Sequence, residues 1–384
     1  MSPIDRRSFL RGAMTAAGFA LAAPHLRTLA QTQTARHLAP VRVARNRIIR
    51  EIVGLRPFRS EGYVVSGERV GTKVLIHNYG HGGAGITLSW GTASQAVDLL
   101  RDLPSPTPSR RSARTAPRRF AVIGCGVNGL STAILLQRRY QDGPGTVTIY
   151  AKDLPPQTTS NIAAGYWSPV SLYDSDVAST KFVDQMKAAA GISNRAYQLL
   201  VGPEYGVRWL DIFTLHRNEI SLQGELPGGN DLYPQQIIHR DPSNAFGVPI
   251  VRQFSSMMIE PPIYLRALLR DFYNAGGKIV AKEFRSREEI MRLPEPVIFN
   301  CTGLGARQLF DDQKLVPARG QLEVLLPQPE IDYGYIGPGH MFPRSDGIFL
   351  GGTFDRDDWS LDVNKGHSDY ILNTHTEMMK RFKT

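Results

Sequence analysis

Two cysteines in 384 residues exclude a disulfide scaffold and a multi-thiolate zinc site. No apolar run approaches the roughly 20 residues that a membrane-spanning helix needs, which excludes a multi-span membrane protein. Charged residues are neither scarce nor dominant at 21%, and apolar residues stand at 42%, so wholesale disorder is excluded as well. Acidic residues are outnumbered, 35 to 45, which leaves a net charge of +10. That excess does not form a nucleic-acid module. Residues 1–30 hold Arg6, Arg7, Arg11 and Arg27 against Asp5, so a net +3 sits in the leader. Arg110, Arg111, Arg114, Arg118 and Arg119 crowd one short stretch. A moderately basic surface that draws in small anionic substrates fits this distribution better than a nucleic-acid face. The chain is rich in turn formers, with 36 glycines and 26 prolines, and long enough for about two domains.

The N-terminus reads as a targeting segment. Asp5-Arg6-Arg7-Ser8-Phe9-Leu10-Arg11 precedes an apolar, Ala/Gly-rich run from Gly12 to Ala23. The paired arginines followed by Ser-Phe-Leu resemble a bacterial twin-arginine signal. Cleavage fits near Ala23 or Ala30, and the mature protein is expected in the periplasm or outside the cell, without a stable membrane anchor. Twin-arginine export carries folded proteins, so the leader also predicts a cofactor loaded before export.

Residues 31–45 are polar and read as a flexible segment. Residues 46–77 read as two extended segments around a turn, and a helical pattern runs from the following glycine cluster to about Leu100. Residues 102–119 are a linker by composition, rich in proline, serine and arginine. Phe120–Ile123 opens a strand–glycine turn–helix–strand unit, with the helix over Leu130–Tyr140 and the second strand over Val147–Tyr150. Strands and turns dominate 205–260. A helix is expected over Pro261–Ala275, strands at Lys278–Ala281, Val297–Asn300, Gly320–Leu326 and Gly347–Leu350, and a helix over Ser368–Phe382.

Gly124-Cys125-Gly126-Val127-Asn128-Gly129 has the spacing of a dinucleotide fingerprint. It follows a strand and opens a helix, as that motif requires. Its glycines permit a tight turn and close approach of backbone to pyrophosphate, and the helix offers its first N–H groups to the phosphates. At the end of the second strand the ribose position falls on Lys152 or Asp153. The His77/His81 pair lacks helical spacing and a third ligand, so no metal is expected.

Four segments together resemble the D-amino acid oxidase family of FAD-dependent amine oxidoreductases. They are His77 to Gly85 with Ile86-Thr87, Thr158 to Pro169, Asn300-Cys301-Thr302-Gly303, and Arg319-Gly320-Gln321. The resemblance covers most of the chain beyond residue 45. It implies an α/β fold: a Rossmann-like FAD-binding domain (120–170 and 261–320) joined to a β-rich substrate-binding domain (171–260 and 321–384). It implies FAD contacts at Gly124, Gly126, Val127, Asn128, Gly129, Lys152, Asp153, Thr158, Thr159, Ser160, Ala164, Gly165, Phe284, Thr302 and Gly303. Further contacts are implied at Gly82, Gly83, Gly85, Ile86 and Thr87. In the family, the glycine loop that here spans 77–85 lies near the C-terminus, behind the fingerprint. In this sequence it comes first, so the chain is expected to be circularly permuted. Residues 46–101 would supply the family's C-terminal piece through the linker 102–119.

Within that front piece, Gly54-Leu55-Arg56-Pro57 places Arg56 as the substrate-carboxylate arginine, with Arg59 a weaker candidate. A guanidinium can clamp a carboxylate through two parallel hydrogen bonds. The Gly83 carbonyl would hold the amine. Counting back from Leu350-Gly351-Gly352, one family tyrosine position falls on His340 and the other near Ile336, one residue from Tyr335. The expected activity is oxidative deamination of D-amino acids by FAD and oxygen, giving 2-oxo acids, ammonia and hydrogen peroxide. The alternatives are a dehydrogenase or oxidase of glycine or another amine, or a flavin-loaded protein without turnover. The lid between Gln321 and His340 carries no lysine or arginine, which favours neutral substrates. Oligomeric state is open, a homodimer among the options.

Overall fold

The computed structural model describes residues 37–103, 119–140 and 146–383. The expected leader (1–30), the start of the 31–45 segment and nearly all of the linker lie outside the described residues. Strands are β1 (Ile48–Phe58), β2 (Val64–Val70), β3 (Lys73–Tyr79), β4 (Phe120–Ile123), β5 (Val147–Ala151), β6 (Val207–His216), β7 (Ile237–His239), β8 (Ile250–Ile259), β9 (Lys278–Ala281), β10 (Val297–Asn300), β11 (Val316–Leu325), β12 (Tyr333–Ile336), β13 (His340–Arg344), β14 (Gly347–Gly351) and β15 (Asp355–Arg356). Helices are α1 (Gly85–Asp102), α2 (Val127–Arg139), α3 (Thr180–Gln198), α4 (Pro261–Asn274), α5 (Arg287–Met291), α6 (Ala306–Leu309) and α7 (Lys365–Lys380).

Two sheets divide these strands. The six-stranded sheet runs β2-β3-β10-β4-β5-β9, with β3, β10, β4, β5 and β9 parallel and β2 antiparallel at one edge. Its central strands β4 and β10 are short apolar runs buried at every residue, as a sheet covered on both faces demands. Helices α1 and α2 pack beside it, α4 packs on α2, and α1 also packs on α3. The nine-stranded sheet runs β1-β11-β14-β13-β12-β6-β8-β7, with β15 paired to β11. Its pairs are antiparallel apart from β12 with β6.

The segment ahead of the fingerprint belongs to both sheets. β1 pairs with β11 along its whole length, while β3 lies beside β10, which separates it from β4. Residues 46–77 thus form three strands where two extended segments are expected, because Gly71 adopts φ +58° and turns β2 into β3. The described part of 31–45 also departs from expectation. Leu38 and Val41 are buried in the cluster containing Tyr333, whose hydroxyl donates to the Ala39 carbonyl at 2.7 Å. Leu38 and Val41, with Ala39 and Val43 packed alongside them, anchor this stretch. Helix α3 is a further element that the sequence reading passes over; Ser179 caps it, its side chain accepting from Phe182 N–H at 3.2 Å. No described helix is long and apolar enough to cross a membrane.

Candidate active site

A cavity of about 760 Å³ runs between the two sheets and is lined from both. At one end β4 feeds into α2 through the glycine fingerprint. Gly124 has φ +109°, and a Cβ there would lie 2.4 Å from the Cys301 carbonyl oxygen. A Cβ on Gly129 would lie 2.0 Å from the Gly124 carbonyl oxygen, so this glycine serves helix–strand packing. Gly129 accordingly does not line the cavity, a correction to its expected contact role. Gly126 caps α2 without a side-chain acceptor, and the Val127 N–H donates to Ser160 Oγ at 3.0 Å. Cys125 and Cys301 are free of disulfide bonds beside this end, and burial pushes both thiols up to about 12. Further along stand Lys152, Asp153, Glu283 and Phe284, with the Lys282 ammonium 4.9 Å from the Phe284 ring centre.

The glycine loop between β3 and α1 forms the middle of the cavity. Gly82 adopts φ +50°, and a Cβ there would strike the Ser171 carbonyl oxygen at 2.3 Å. Gly83 N–H donates to that same carbonyl at 2.8 Å. His81 ties the loop to the fingerprint. Asn128 Nδ2 lies 3.2 Å from His81 Nδ1, and His81 Nε2 lies 3.1 Å from Thr92 Oγ1. Burial holds His81 down at about 3, so the ring is neutral. With Asn128 donating to Nδ1, the single ring proton sits on Nε2 and points to Thr92. Asn128 therefore spends its side chain on His81, and only its remaining surface borders the cavity. His77 goes elsewhere, to Asn300 and Glu68, so the two histidines do not converge. Among the described residues no metal-ligating cluster occurs.

Arg56 sits at the other end. Its Nε donates to the Ala318 carbonyl and its Nη2 to the Arg319 and Thr353 carbonyls, each at 3.0 Å. Its Nη1 makes no hydrogen bond among the described residues. The two-point clamp expected of this guanidinium is thus half occupied by backbone, leaving the two Nη1 hydrogens. A Cβ on Gly320 would lie 2.6 Å from Arg56 Nη2, so a side chain there would displace the guanidinium. The Phe354 ring covers the guanidinium at 4.7 Å. Burial lowers Arg56 to about 10, with Asp355 opposing, so the group stays cationic at neutral pH. Arg59 is not a second clamp; its Nε pairs with Asp312 at 2.9 Å, away from the cavity lining.

Tyr335 is corrected outright. On β12 the side chains alternate, so Ile336 faces the cavity and Tyr335 faces α7. There its hydroxyl lies 2.6 Å from His375 Nδ1, while His375 Nε2 lies 3.3 Å from the Gly351 carbonyl. Burial keeps His375 near 4, hence neutral. A carbonyl only accepts, so Nε2 carries the proton and Tyr335 donates to Nδ1. His340, on β13, does line the cavity. Its ring lies over Gly351, where a Cβ would lie 2.2 Å from Nε2. Burial pushes it down to about 3, with the positive charge of Arg56 acting the same way. It is therefore a neutral donor or acceptor. Arg319 and Gln321 likewise turn to α7, where Gln321 meets Glu323 and Ser368.

Sequence reasoning missed Tyr166 and Phe342 as cavity wall. Their rings stack at 4.9 Å, and Phe342 stacks on His340 at 5.4 Å. The i,i+2 spacing of His340 and Phe342 on a strand could have signalled it.

A model of FAD-dependent oxidoreductases matches residues 2–99 and 119–384. The chain belongs to this DAO family. Among curated relatives, a D-amino acid oxidase of Dugesia ryukyuensis is 29% identical over 66% of this chain and 75% of its own length. Human D-aspartate oxidase is 29% identical over 66% and 74%. A D-amino-acid oxidase of Rubrobacter xylanophilus is 29% identical over 69% and 78%. In fold the chain is similar to an iminodiacetate oxidase from Chelativorans, with a TM-score of 0.50, 15% identity, and coverage of 68% and 79%.

The family is FAD-dependent, and the cavity suits that cofactor. Gly82, Gly124 and Gly126 present bare backbone to this space, and the start of α2, whose N-cap Gly126 supplies no side-chain acceptor, borders it. Of the expected FAD contacts, all but Gly129 border this cavity: Gly82, Gly83, Gly85, Ile86, Thr87, Gly124, Gly126, Val127, Asn128, Lys152, Asp153, Thr158, Thr159, Ser160, Ala164, Gly165, Phe284, Thr302 and Gly303.

Proposed function

We propose that this chain oxidatively deaminates D-amino acids, converting substrate, oxygen and water into a 2-oxo acid, ammonia and hydrogen peroxide. The observation that supports it most is Arg56, a half-buried cation whose Nη1 makes no hydrogen bond among the described residues, in the same cavity as the FAD cradle and beside Gly83. A Cβ on Gly83 would lie 3.6 Å from Arg56 Cδ, so the amine-binding backbone and the carboxylate-binding side chain adjoin. Bound FAD supplies the hydride acceptor. Arg56 Nη1 takes the substrate carboxylate, and His340, uncharged, offers a second hydrogen-bond partner without competing for charge. The Gly83 carbonyl accepts from the substrate amine, and the two anchors orient Cα–H toward the cofactor. Lys152 and Asp153 would hold the ribose hydroxyls, and the α2 N-terminus would take the pyrophosphate.

Anaerobic titration of the purified holoenzyme with D- and L-amino acids and glycine tests this. Bleaching of the flavin by D-amino acids alone is expected, with one peroxide released per turnover in air. Reduction by glycine or another amine alone would move the substrate; reduction without peroxide would make the chain a dehydrogenase.

We further infer that the chain is a circular permutant exported by the twin-arginine route. The order of its motifs and the pairing of β1 with β11 and of β3 with β10 support the first part. The Arg6-Arg7 leader supports the second. Mass spectrometry of periplasmic protein is expected to show loss of residues up to about Ala23 or Ala30; intact Met1 would refute export.

A further inference from the structure

Three rings form a column along one wall at the Arg56 end of the cavity. Tyr166 stacks on Phe342 at 4.9 Å and 16°, and Phe342 stacks on His340 at 5.4 Å and 30°. His340 and Phe342 project from the same face of β13, and Tyr166 comes from the segment that bridges to Met258 of β8. Gly334 makes room for the column, since a Cβ there would lie 3.0 Å from the Phe342 ring. Leu322, Ile336 and Val170 complete this end with apolar surface.

Several polar side chains nearby are already engaged. Thr353 Oγ1 accepts from Gln321 N–H at 2.8 Å, and Ser168 Oγ lies 3.1 Å from Tyr233 Oη. The Gln321 amide is held by Glu323, Ser368 and Asn364. The other lining cations, Lys152 and Lys282, stand beside Asp153, Glu283 and Phe284, with the fingerprint end. Arg56 is thus the one cation among the described residues at this end, and its free nitrogen is spent on the carboxylate that every amino acid carries.

We propose that the Tyr166–Phe342–His340 column is the side-chain specificity wall, selecting substrates with one carboxylate and a flat aromatic side chain. This rests on the amino acid oxidase reading above. An aromatic side chain can stack on an end of the column or meet ring edges in a T-shaped contact. Both gain over a saturated ring of equal size, by about 3- to 10-fold. A second carboxylate in the side chain would be desolvated against rings and aliphatic groups with no cation to pair. The wall thus separates this chain's preference from that named for the human relative.

The test uses the holoenzyme and a matched pair, D-phenylalanine and D-cyclohexylalanine, with D-aspartate as a third substrate. Rates of anaerobic flavin reduction are compared for wild type and Phe342→Leu. Wild type is expected to favour D-phenylalanine over D-cyclohexylalanine by 3- to 10-fold and over D-aspartate by at least 100-fold. Phe342→Leu should bring the first ratio to about one while D-aspartate stays poor. Equal rates for the matched pair in wild type, or a ratio unmoved by Phe342→Leu, would overturn the wall. So would efficient use of D-aspartate. Spectral titration with phenylacetate and cyclohexylacetate reads the same preference as binding, should Phe342→Leu turn over slowly. If D-alanine reduces the flavin but aromatic substrates do not, the wall is wrong and the reaction stands. If no D-amino acid reduces it, both fall.

Discussion

Arg56→Ala raises KM by about 10²–10³-fold and lowers kcat far less. The expected size follows from leaving a buried substrate carboxylate without its only cation, a loss of about 2–5 kcal/mol. The variant also strips donors from the Ala318, Arg319 and Thr353 carbonyls, so a modest fall in Tm accompanies it. Arg56→Lys rescues little. A lysine cannot hold three carbonyls and still present a free nitrogen, because its donors radiate from one point rather than from a planar fork. The pH dependence gives an independent reading. Burial places Arg56 near 10, so the cation is present through neutral pH and KM climbs as pH passes about 10. His340, held near 3, contributes no inflection between pH 5 and 9. Steady-state kinetics from about pH 5 to about pH 11, with thermal melts as the folding control, decide the matter. A KM within twofold of wild type in Arg56→Ala removes the residue from substrate binding.

What the sequence discloses and what it hides divide along a physical line. The cofactor end is built from backbone, and backbone demands are written in glycine spacing. The fingerprint at 124–129 and the loop at 82–85 could therefore be read directly. The substrate end is built from side chains on alternating strands, where a one-residue error reverses the face. Tyr335 looks like a candidate because it carries a phenol near the right place. The pleat sends it to His375, and Ile336 and His340, cross-strand neighbours, take the cavity side. Arg319 and Gln321 flank a glycine that the site needs, yet their own side chains serve α7. His375 lies 35 residues beyond His340, and nothing local marks their coupling. Leu38 and Val41 show the same limit in reverse: a short apolar patch without strand or helix periodicity is a weak signal, and only the folded sheet reveals the surface it covers.

Gly124→Val yields a protein purified without flavin. The position has φ +109°, which costs a residue with a Cβ about 1–2 kcal/mol in backbone strain alone. The added carbon would also stand 2.4 Å from the Cys301 carbonyl oxygen, a backbone atom that β10 holds beside β4 and that cannot yield as a side chain would. Relief requires the β4–α2 turn to move, and that turn lines the cavity where the cofactor would bind. The effect should therefore exceed strain and reach the cradle itself. Gly71 separates the two causes. It too has positive φ, +58°, but a Cβ there meets nothing within 4 Å, and it lies in the β2–β3 turn away from the cavity. Gly71→Ala should lower Tm by a few degrees and keep its flavin, whereas Gly124→Val should show a ratio of 450 nm to 280 nm absorbance near zero. A yellow Gly124→Val protein with wild-type flavin content would show that the fingerprint turn does not cradle the cofactor, and the assignment of that end of the cavity would be lost with it.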